Sequence, residues 1–167
     1  ASLVEQYDTL YYIDVDTVTY TEISSTDDYK KLNVPATGND FFDESRRSIG
    51  KYVHPEDQEK VLALHYKDAM LNNLKDRNSF SIAYRLVVKG RVRHIRNTEI
   101  MARDGKHIIV CIKNIDAEVQ AELAIKADRQ KSVTFTQIAE RLASHYLLIY
   151  YIDCETSYYA ELSAMRK

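Results

Sequence analysis

Histidine is the residue type best suited in this sequence to act as a base or to bind a metal, and five are present. His54 stands in the run His54-Pro55-Glu56-Asp57, where a proline can occupy the first helical position and two acidic residues meet the positive end of the helix dipole. This pattern is typical of a helix start. We therefore interpret His54, Pro55 and Asp57 as a helix-start motif, with no catalytic role for His54.

The other candidates for chemistry do not form a cluster. The strand register derived below pairs His94 with Ile115 and His107 with Ala102, so these two histidines lie far apart and should not share a metal. Cys111 falls mid-strand on the expected outer face, and two cysteines are too few for a disulfide framework or a four-thiolate zinc site. The sequence also lacks a glycine-rich phosphate loop and a nucleophile elbow. We predict no catalytic residue and no metal site.

The composition is that of a globular chain with a slightly acidic balance. In 167 residues, 23 Lys and Arg face 25 Asp and Glu, which gives a net charge of −2, and 45% of the residues are hydrophobic. This length suits one domain with part of a second, and the absence of a basic block argues against a nucleic-acid partner. No apolar run is long enough for a membrane segment and no signal-peptide pattern is visible, so we expect a cytoplasmic location.

The apolar periodicity and the turn residues predict an α+β domain. Five strands are predicted, over residues 10–15, 18–24, 79–88, 91–102 and 106–115. Helices are predicted at about 2–9, 27–32, 43–49, 55–74 and 116–131, with a last helix capped by Ser132 or Thr134 and continuing through His145.

Two turn assignments determine the register of the last three strands. Lys89-Gly90 and Asp104-Gly105 are interpreted as the centres of two-residue hairpin loops, in which both positions need φ > 0. Alternation along the strands then places an apolar layer on one face of the sheet. Its members are Phe80, Ile82, Tyr84, Leu86, Ile95, Met101, Ile108, Val110 and Ile112.

Three polar residues, Asn97, Glu99 and Asn114, share this apolar face. A buried amide or carboxyl group needs a hydrogen-bond partner or water. Asn97 and Glu99 could orient a small polar ligand in a cavity between the sheet and the long helix. Alternatively, they could bond to the irregular segment 25–52 or lie at an open edge of the sheet. The candidate ligand-binding residues are therefore Tyr84, Asn97, Glu99 and Met101.

The order of two strands, small helices, a long helix and three strands resembles the Per-Arnt-Sim (PAS) sensory domain over about residues 1–116. The matching features are His54-Pro55-Glu56-Asp57, Phe80…Tyr84-Arg85-Leu86, Asp104-Gly105 and Asn114-Ile115-Asp116. The resemblance implies a five-stranded antiparallel sheet with helices on one face. One departure lies in the first hairpin, where the usual glycine-containing turn is replaced by Asp14-Val15-Asp16-Thr17.

The resemblance also implies a function. The sequence is similar to N-terminal sensory regions of bacterial diguanylate cyclases and sensor histidine kinases, which act in cyclic-di-GMP and two-component signalling. It thus implies a non-catalytic module that binds a small molecule or transmits a conformational signal to a downstream effector domain. Asn114, Ile115 and Asp116 would begin the output helix. The alternative is a ligand-free PAS module for dimerisation or scaffolding.

The resemblance leaves the cofactor open. Haem-binding members use a histidine on the long helix, where His65 stands, but we expect His65 to be a partly exposed helical residue. Flavin-photoreceptor members use a cysteine in an Asn-Cys-Arg-Phe run, and this sequence has no such run. Flavin–thiol adduct chemistry is therefore not expected.

A repeat links the two ends of the sequence. Aligning residue 3 with residue 142 matches Tyr11-Tyr12-Ile13-Asp14 to Tyr150-Tyr151-Ile152-Asp153 and gives ten identities in 22 positions. We therefore predict a PAS-like domain over 1–115, a helical connector over 116–145, and the first hairpin of a truncated second PAS-like domain over 146–167. A hairpin alone exposes unpaired edges, so we expect a homodimer formed through residues 146–167.

Overall fold

The computed structural model describes residues 6–32, 34–143 and 150–161. They divide into a first unit that ends at Ala117 and a second that starts at Glu118. The first unit contains strands β1 Thr9–Asp14, β2 Tyr20–Ser25, β3 Thr37–Gly38, β4 Ser79–Val88, β5 Arg91–Met101 and β6 His107–Asn114. Its helices are α1 Asp27–Lys30, α2 Phe41–Tyr52, α3 Pro55–Leu64 and α4 Lys67–Leu74. Helix α5 Asp116–Ala143 leads into the second unit, which has strands β7 Tyr150–Ile152 and β8 Tyr159–Glu161.

The first unit has a PAS-like α+β fold built on one antiparallel sheet. The strand order is β3-β2-β1-β6-β5-β4, and the elements follow the order that the PAS resemblance implies. The sheet has six strands rather than the predicted five, because Thr37 and Gly38 pair with Thr21 and Tyr20 at its edge. Two residues are too few to show an alternating pattern, so the sequence could not predict this strand.

The predicted register of β4, β5 and β6 is confirmed. Lys89 and Gly90 have φ of 49° and 74° and form the expected two-residue turn. The turn at Asp104-Gly105 is wider than predicted, because Ala102 N–H donates to the His107 carbonyl at 2.8 Å and Gly105, unlike Asp104, has positive φ. Asp104 instead accepts hydrogen bonds from backbone N–H groups of the turn.

The first hairpin turns without a glycine. Oδ1 of Asp14 accepts hydrogen bonds from the backbone N–H groups of Asp16 at 2.9 Å and Thr17 at 2.8 Å. Val18 follows with φ of 57°. A short acidic side chain that bonds to the backbone two residues on is a known substitute for turn-forming glycine.

Three predicted helices differ from the structure. The helix predicted over 55–74 is interrupted at His65-Tyr66 and forms α3 and α4 instead. The break contains neither glycine nor proline; Arg46 of α2 stabilises it by donating to the His65 carbonyl at 3.2 Å. The helices predicted over 116–131 and 132–145 are continuous in α5, inside which Thr134 Oγ1 donates to the Gln130 carbonyl at 2.9 Å. Residues 144 and 145 lie outside the described residues.

At the start of the chain, residues 2–5 of the helix predicted over 2–9 lie outside the described residues, and Thr9 already belongs to β1. The predicted apolar layer is confirmed. Its buried members pack with α2, α3 and α4 in two clusters, and Ile108, Val61 and Met70 are fully buried. The core therefore lies between the helices and one face of the sheet.

The β7–β8 hairpin of the second unit has the same local geometry as the β1–β2 hairpin. Asp153 Oδ1 accepts two backbone N–H groups of its turn, as Asp14 Oδ1 does. Ser157 has φ of 58° at the position that matches Val18. Residues 146–149 and 162–167 of the predicted second copy lie outside the described residues. No helix in the described parts of the chain is long and apolar enough to span a membrane.

Candidate functional site

A cavity of about 90 Å³ lies between the inner face of the sheet and the segment that contains α1 and α2. Its lining includes six aromatic side chains, namely Tyr11, Tyr20, Tyr29, Phe41, Tyr52 and Tyr84. Pockets for drug-sized ligands measure about 300–1,000 Å³. This cavity can therefore hold about three water molecules or an organic molecule of about five non-hydrogen atoms.

Asn97 and Glu99 are the most unusual polar residues of the core. Their side chains are 1% and 0% exposed, and both polar atoms of each side chain lack a hydrogen-bond partner. Asn97 lines the cavity, whereas Glu99 lies next to it, paired with the lining residue Val110. Unpartnered polar groups in a core are costly, so these two side chains require an explanation.

Burial raises the pKa of Glu99 to about 8. The carboxyl group is therefore mostly protonated at neutral pH, since the described residues bring no cation close enough to stabilise its charge. Burial also raises the pKa of Tyr84, and the nearby Glu99 carboxyl group raises it further. The two acidic groups share an apolar region in which neither readily ionises.

Two of the four predicted ligand-binding residues line the cavity, and two do not. Tyr84 and Asn97 line it, Glu99 lies beside it, and Met101 is half-buried in the core cluster around Ile108. The alternative interpretation of Asn97 and Glu99 is wrong for the part of the chain that the structure describes, because β5 is an interior strand and neither side chain bonds to residues 25–32 or 34–52. Asn114 is exposed at the end of β6.

His65 is buried, contrary to the expectation of a partly exposed residue. It ends α3, is 4% exposed and lines the cavity. Its Nδ1 donates to the Val61 carbonyl at 2.8 Å, and burial lowers its pKa. The neutral ring therefore keeps an unprotonated Nε2. A haem is far larger than the cavity of about 90 Å³ that His65 lines, so the cavity in this form does not accommodate one.

The helix-start motif also secures the edge of the sheet. His54 Nδ1 accepts from the Glu56 N–H at 3.4 Å, as expected for a helix start. Asp57 accepts hydrogen bonds from the Arg85 backbone N–H, Nε and a terminal nitrogen at 2.8–2.9 Å. The hydrogen bonds from the Arg85 side chain have the largest influence on the pKa of Asp57 and lower it to about 2, although burial acts in the opposite direction. Asp57 thus holds α3 against edge strand β4.

The predicted output residues form a compact hydrogen-bonded junction. Asp116 Oδ1 accepts from the His94 backbone N–H at 2.7 Å and from its Nδ1 at 3.0 Å. Asp116 N–H donates to Asn114 Oδ1 at 2.8 Å, and Ile115 N–H donates to the His94 carbonyl at 2.9 Å. Although burial opposes them, the bonds from His94 lower the pKa of Asp116. The first residue of α5 is therefore attached to β5.

The remaining candidates for chemistry stay apart. His94 contacts Asp116, whereas His107 contacts Asp104 at 2.7 Å. Within residues 6–32, 34–143 and 150–161, no group of three or more His, Cys, Asp or Glu side chains is placed to hold a metal ion. Cys111 is fully buried, although an outer-face position suggested access, and burial raises its pKa to about 11.

Comparison with known proteins gives fold-level similarities alone. No protein-family model matches the sequence, and no curated protein matches it. The chain is similar to the structure of an RNA-binding Light-Oxygen-Voltage receptor, with a TM-score of 0.48 and 11% identity, covering 81% of this chain and 36% of that one. It is also similar to the PAS domain of Bordetella pertussis BvgS, with a TM-score of 0.44 and 17% identity, covering 76% of this chain and 92% of that one.

The chain thus spans about a third of the length of the first of these proteins. Both TM-scores are below 0.5, so the assignment of the fold rests on the order of the elements and the pairing of the strands. The function of either protein is a property of that protein and is not carried over to this chain.

Sequence reasoning missed the aromatic and acidic side chains that enclose the cavity from the first hairpin and α2. Tyr20 Oη donates to Glu44 Oε2 at 2.6 Å, and the rings of Tyr11 and Tyr20 meet edge to face at 5.8 Å. The signal in the sequence is the high tyrosine content, 13 in all, but this count does not indicate which rings meet. Their convergence depends on how segment 25–52 folds over the sheet.

Proposed function

We propose that the first unit is a non-catalytic sensory module that binds a small molecule in the cavity. The observation that carries this proposal is the side chain of Asn97. It is 1% exposed, lines the cavity, and has an amide donor and an amide acceptor that no described group satisfies. A small polar ligand would remove the cost of burying both groups.

The signal would leave the unit through Asn114, Ile115 and Asp116. Asn97 and His94 lie on the same strand, and His94 holds Asp116 at the start of α5. A displacement of β5 by a ligand at Asn97 would therefore reach α5 over a short path. A ligand can shift this arrangement only if it binds one state better than the other.

Native mass spectrometry tests the binding site directly. We expect a non-covalent small-molecule adduct on the purified chain that is absent from the denatured mass. The variant Asn97→Leu should lose the adduct while keeping the fold. Asn73→Leu is the matched control, because Asn73 also has a buried, unpartnered amide nitrogen but does not line the cavity. An adduct that survives in Asn97→Leu would contradict the proposed site.

The second candidate function is a ligand-free module for dimerisation or scaffolding. The small volume of the cavity, about 90 Å³, and its aromatic lining favour this alternative. Ser48 lines the cavity from α2, so Ser48→Phe should fill part of it. If the module is a scaffold, neither this variant nor the wild type carries an adduct, and the variant has equal or greater stability. Loss of an adduct in Ser48→Phe would favour the sensor.

We propose further that β7 and β8 are the first hairpin of a second PAS-like copy and that they mediate homodimerisation. The matching turn geometry supports the first part. Exposure of Tyr150, Ile152 and Tyr159, at 52%, 62% and 68%, supports the second. Sedimentation should show a dimer that Tyr150→Ser with Ile152→Ser abolishes. Ile23→Ser, on an equally exposed residue of β2, should leave the dimer intact; a wild-type monomer would contradict the proposal.

The wider context is also proposed rather than observed. A downstream effector of the cyclic-di-GMP or two-component type and a bacterial origin are implied by the PAS resemblance, and a cytoplasmic location is proposed with them. Reporter fusions in which α5 leads into a known effector domain would test the first of these. Effector activity that responds to Asn97→Leu but not to Asn73→Leu would support the proposed direction of signalling.

A further inference from the structure

An amide that lines the cavity and a carboxyl group next to it both lack hydrogen-bond partners among the described residues. Asn97 and Glu99 are two residues apart on β5, so both point to the same face of the sheet, about 7 Å apart along the strand. Glu99 pairs with Val110, which in turn pairs with Tyr11, and both Val110 and Tyr11 line the cavity. Glu99 itself does not line the cavity, but its side chain lies one strand position from residues that do.

The described side chains that line this space carry charge of one sign. Among the described lining residues there is no lysine or arginine, whereas Glu44 contributes a second carboxyl group. Basic residues do occur nearby, but Lys31, Lys89, Arg91 and Arg93 line an adjoining groove and not the cavity itself. A small anion in the cavity would lie beside carboxyl groups with no cation to balance it.

The aromatic lining also favours a cation over an anion. Six aromatic side chains border a volume of about 90 Å³, so any occupant lies against several rings at once. The face of an aromatic ring attracts a cation, and the attraction grows when water is excluded. Carboxyl groups and aromatic faces together are the surroundings in which an organic ammonium group is most stable.

We propose that the cavity selects a small organic cation, a primary amine of about five non-hydrogen atoms, whose ammonium group donates a hydrogen bond to Asn97 Oδ1 and has its charge balanced by the neighbouring Glu99 carboxyl group. This inference rests on the proposed sensory function and names the class of its ligand. The tyrosine rings contact the alkyl part of the ligand, and the amide and carboxyl groups select for its positive charge.

A series of probes of equal size tests the class of ligand. Butylammonium, 1-butanol and butyrate differ in charge while their alkyl parts are nearly the same. Ligand-detected NMR on the full chain, after refolding from denaturant to remove bound molecules, measures each dissociation constant. Ligands of this size bind with roughly millimolar affinity. We expect butylammonium to bind about tenfold tighter than 1-butanol, and butyrate to bind weakest.

Two variants identify the groups responsible. Glu99→Gln should remove the preference for butylammonium over 1-butanol, while Ser48→Phe should weaken both probes by filling the cavity. Equal binding of 1-butanol, tightest binding of butyrate, or an unchanged preference in Glu99→Gln would overturn the cation assignment. If the cation assignment fails but Ser48→Phe still weakens binding of the probes, the proposed sensory function stands without the cation assignment. Binding of no probe, or binding that Ser48→Phe leaves unchanged, would overturn both.

The pH dependence gives a readout that a structural role of Glu99 would not produce. Because the empty site holds Glu99 protonated up to about pH 8, a cation must first displace this proton. Butylammonium should therefore bind about tenfold tighter at about pH 8 than at about pH 6.5, and 1-butanol equally at both. Three other titratable groups that line the cavity remain neutral here, since burial lowers the pKa of His65 and raises those of Tyr11 and Tyr84. An acidic and a basic side chain also face this region, because Glu44 lines the cavity and accepts a hydrogen bond from Tyr20, and Arg46 donates to the His65 carbonyl.

The elements packed closest to Glu99 add no further charge. Strand β6 presents Ile108 and Val110 to this part of the core, and α4 presents Met70 and Leu74. A flat pH profile for butylammonium would show that Glu99 does not balance the charge of the ammonium group. That result would overturn the proposed role of Glu99 even if butylammonium proved the tightest of the three probes.

Discussion

Replacing Glu99 by glutamine should make the protein more stable at neutral pH. The carboxyl group keeps its proton in the folded state up to about pH 8, compared with a usual pKa of 4.5. Between these values the folded state binds more protons than the unfolded state, so stability falls as the pH rises. The stability associated with protonated Glu99 is fully present below about pH 4.5 and is lost progressively as the pH rises to about 8. Glutamine has the same shape but never ionises, so this loss disappears.

The pKa difference sets the size of the effect. Each pKa unit corresponds to about 1.4 kcal/mol, so wild-type Glu99 lowers the free energy of unfolding by about 3 kcal/mol at pH 7 and by about 5 kcal/mol well above pH 8. Glu99→Gln should therefore equal the wild type near about pH 4.5 and exceed it by about 3 kcal/mol at pH 7. Groups such as His65 titrate in both proteins, so their contributions cancel in the difference.

Urea unfolding followed by circular dichroism measures this difference, because the chain has no tryptophan for fluorescence. Both proteins should be refolded first, since a bound cation would stabilise ionised Glu99. Glu59→Gln is the matched control, because Glu59 is exposed on α3. A Glu99→Gln variant no more stable than the wild type at pH 7 would refute the reasoning from burial, as would wild-type stability that rises relative to the variant between about pH 5 and 8.

Three further changes test the structure outside the cavity. Asp57→Asn should lower the free energy of unfolding, measured in urea at neutral pH, by about 2 kcal/mol, because the charge-assisted bonds to Arg85 are weakened. Since the folded-state pKa of Asp57 is about 2, this difference between variant and wild type should vanish as the pH falls from about 4 to 2. Asp116→Ala should cost about 1 kcal/mol and speed hydrogen exchange of the His94 amide, measured by NMR. Gly90→Ala should lower stability by about 1 kcal/mol, since φ of 74° disfavours a side chain, and thermal unfolding measures this loss.

Each of these changes has a control in the same protein. Glu56→Gln removes a carboxylate that is 73% exposed and should change stability far less than Asp57→Asn does. Asp128→Ala replaces an exposed residue inside α5 and should leave His94 exchange unchanged. Gly50→Ala lies in helix α2 with open space around the new methyl group, so it should raise stability by about 0.5–1 kcal/mol. The opposite sign in either glycine variant would contradict the backbone argument.

Sequence reasoning was most successful where the relevant forces are local. The register of β4, β5 and β6 followed from alternation and from Lys89-Gly90, because a turn of fixed length aligns the residues on both sides of it. Even the incorrect turn type at Asp104-Gly105 left the register intact. The helix start at Pro55 was equally local, since its signal lies within four residues.

Some of the candidate site residues could also be predicted from local patterns in the sequence. Asn97 and Glu99 stood out as polar residues on an apolar face, and their burial confirms that placement. Their lack of partners could not be predicted, because it depends on which side chains of segment 25–52 reach the sheet. The same is true of Tyr20 and Glu44, which meet across 24 positions of sequence.

The sequence by itself determined the strands, their faces and the register of the main hairpins, since these depend on side-chain alternation and on turn residues that are close along the chain. The tertiary structure decided the break at His65-Tyr66, the burial of His65 and the volume of the cavity. Each of these depends on packing between distant segments, as when Arg46 of α2 bonds to the carbonyl that ends α3. Such contacts have no periodic signature in the sequence, because they arise only when separately formed elements meet.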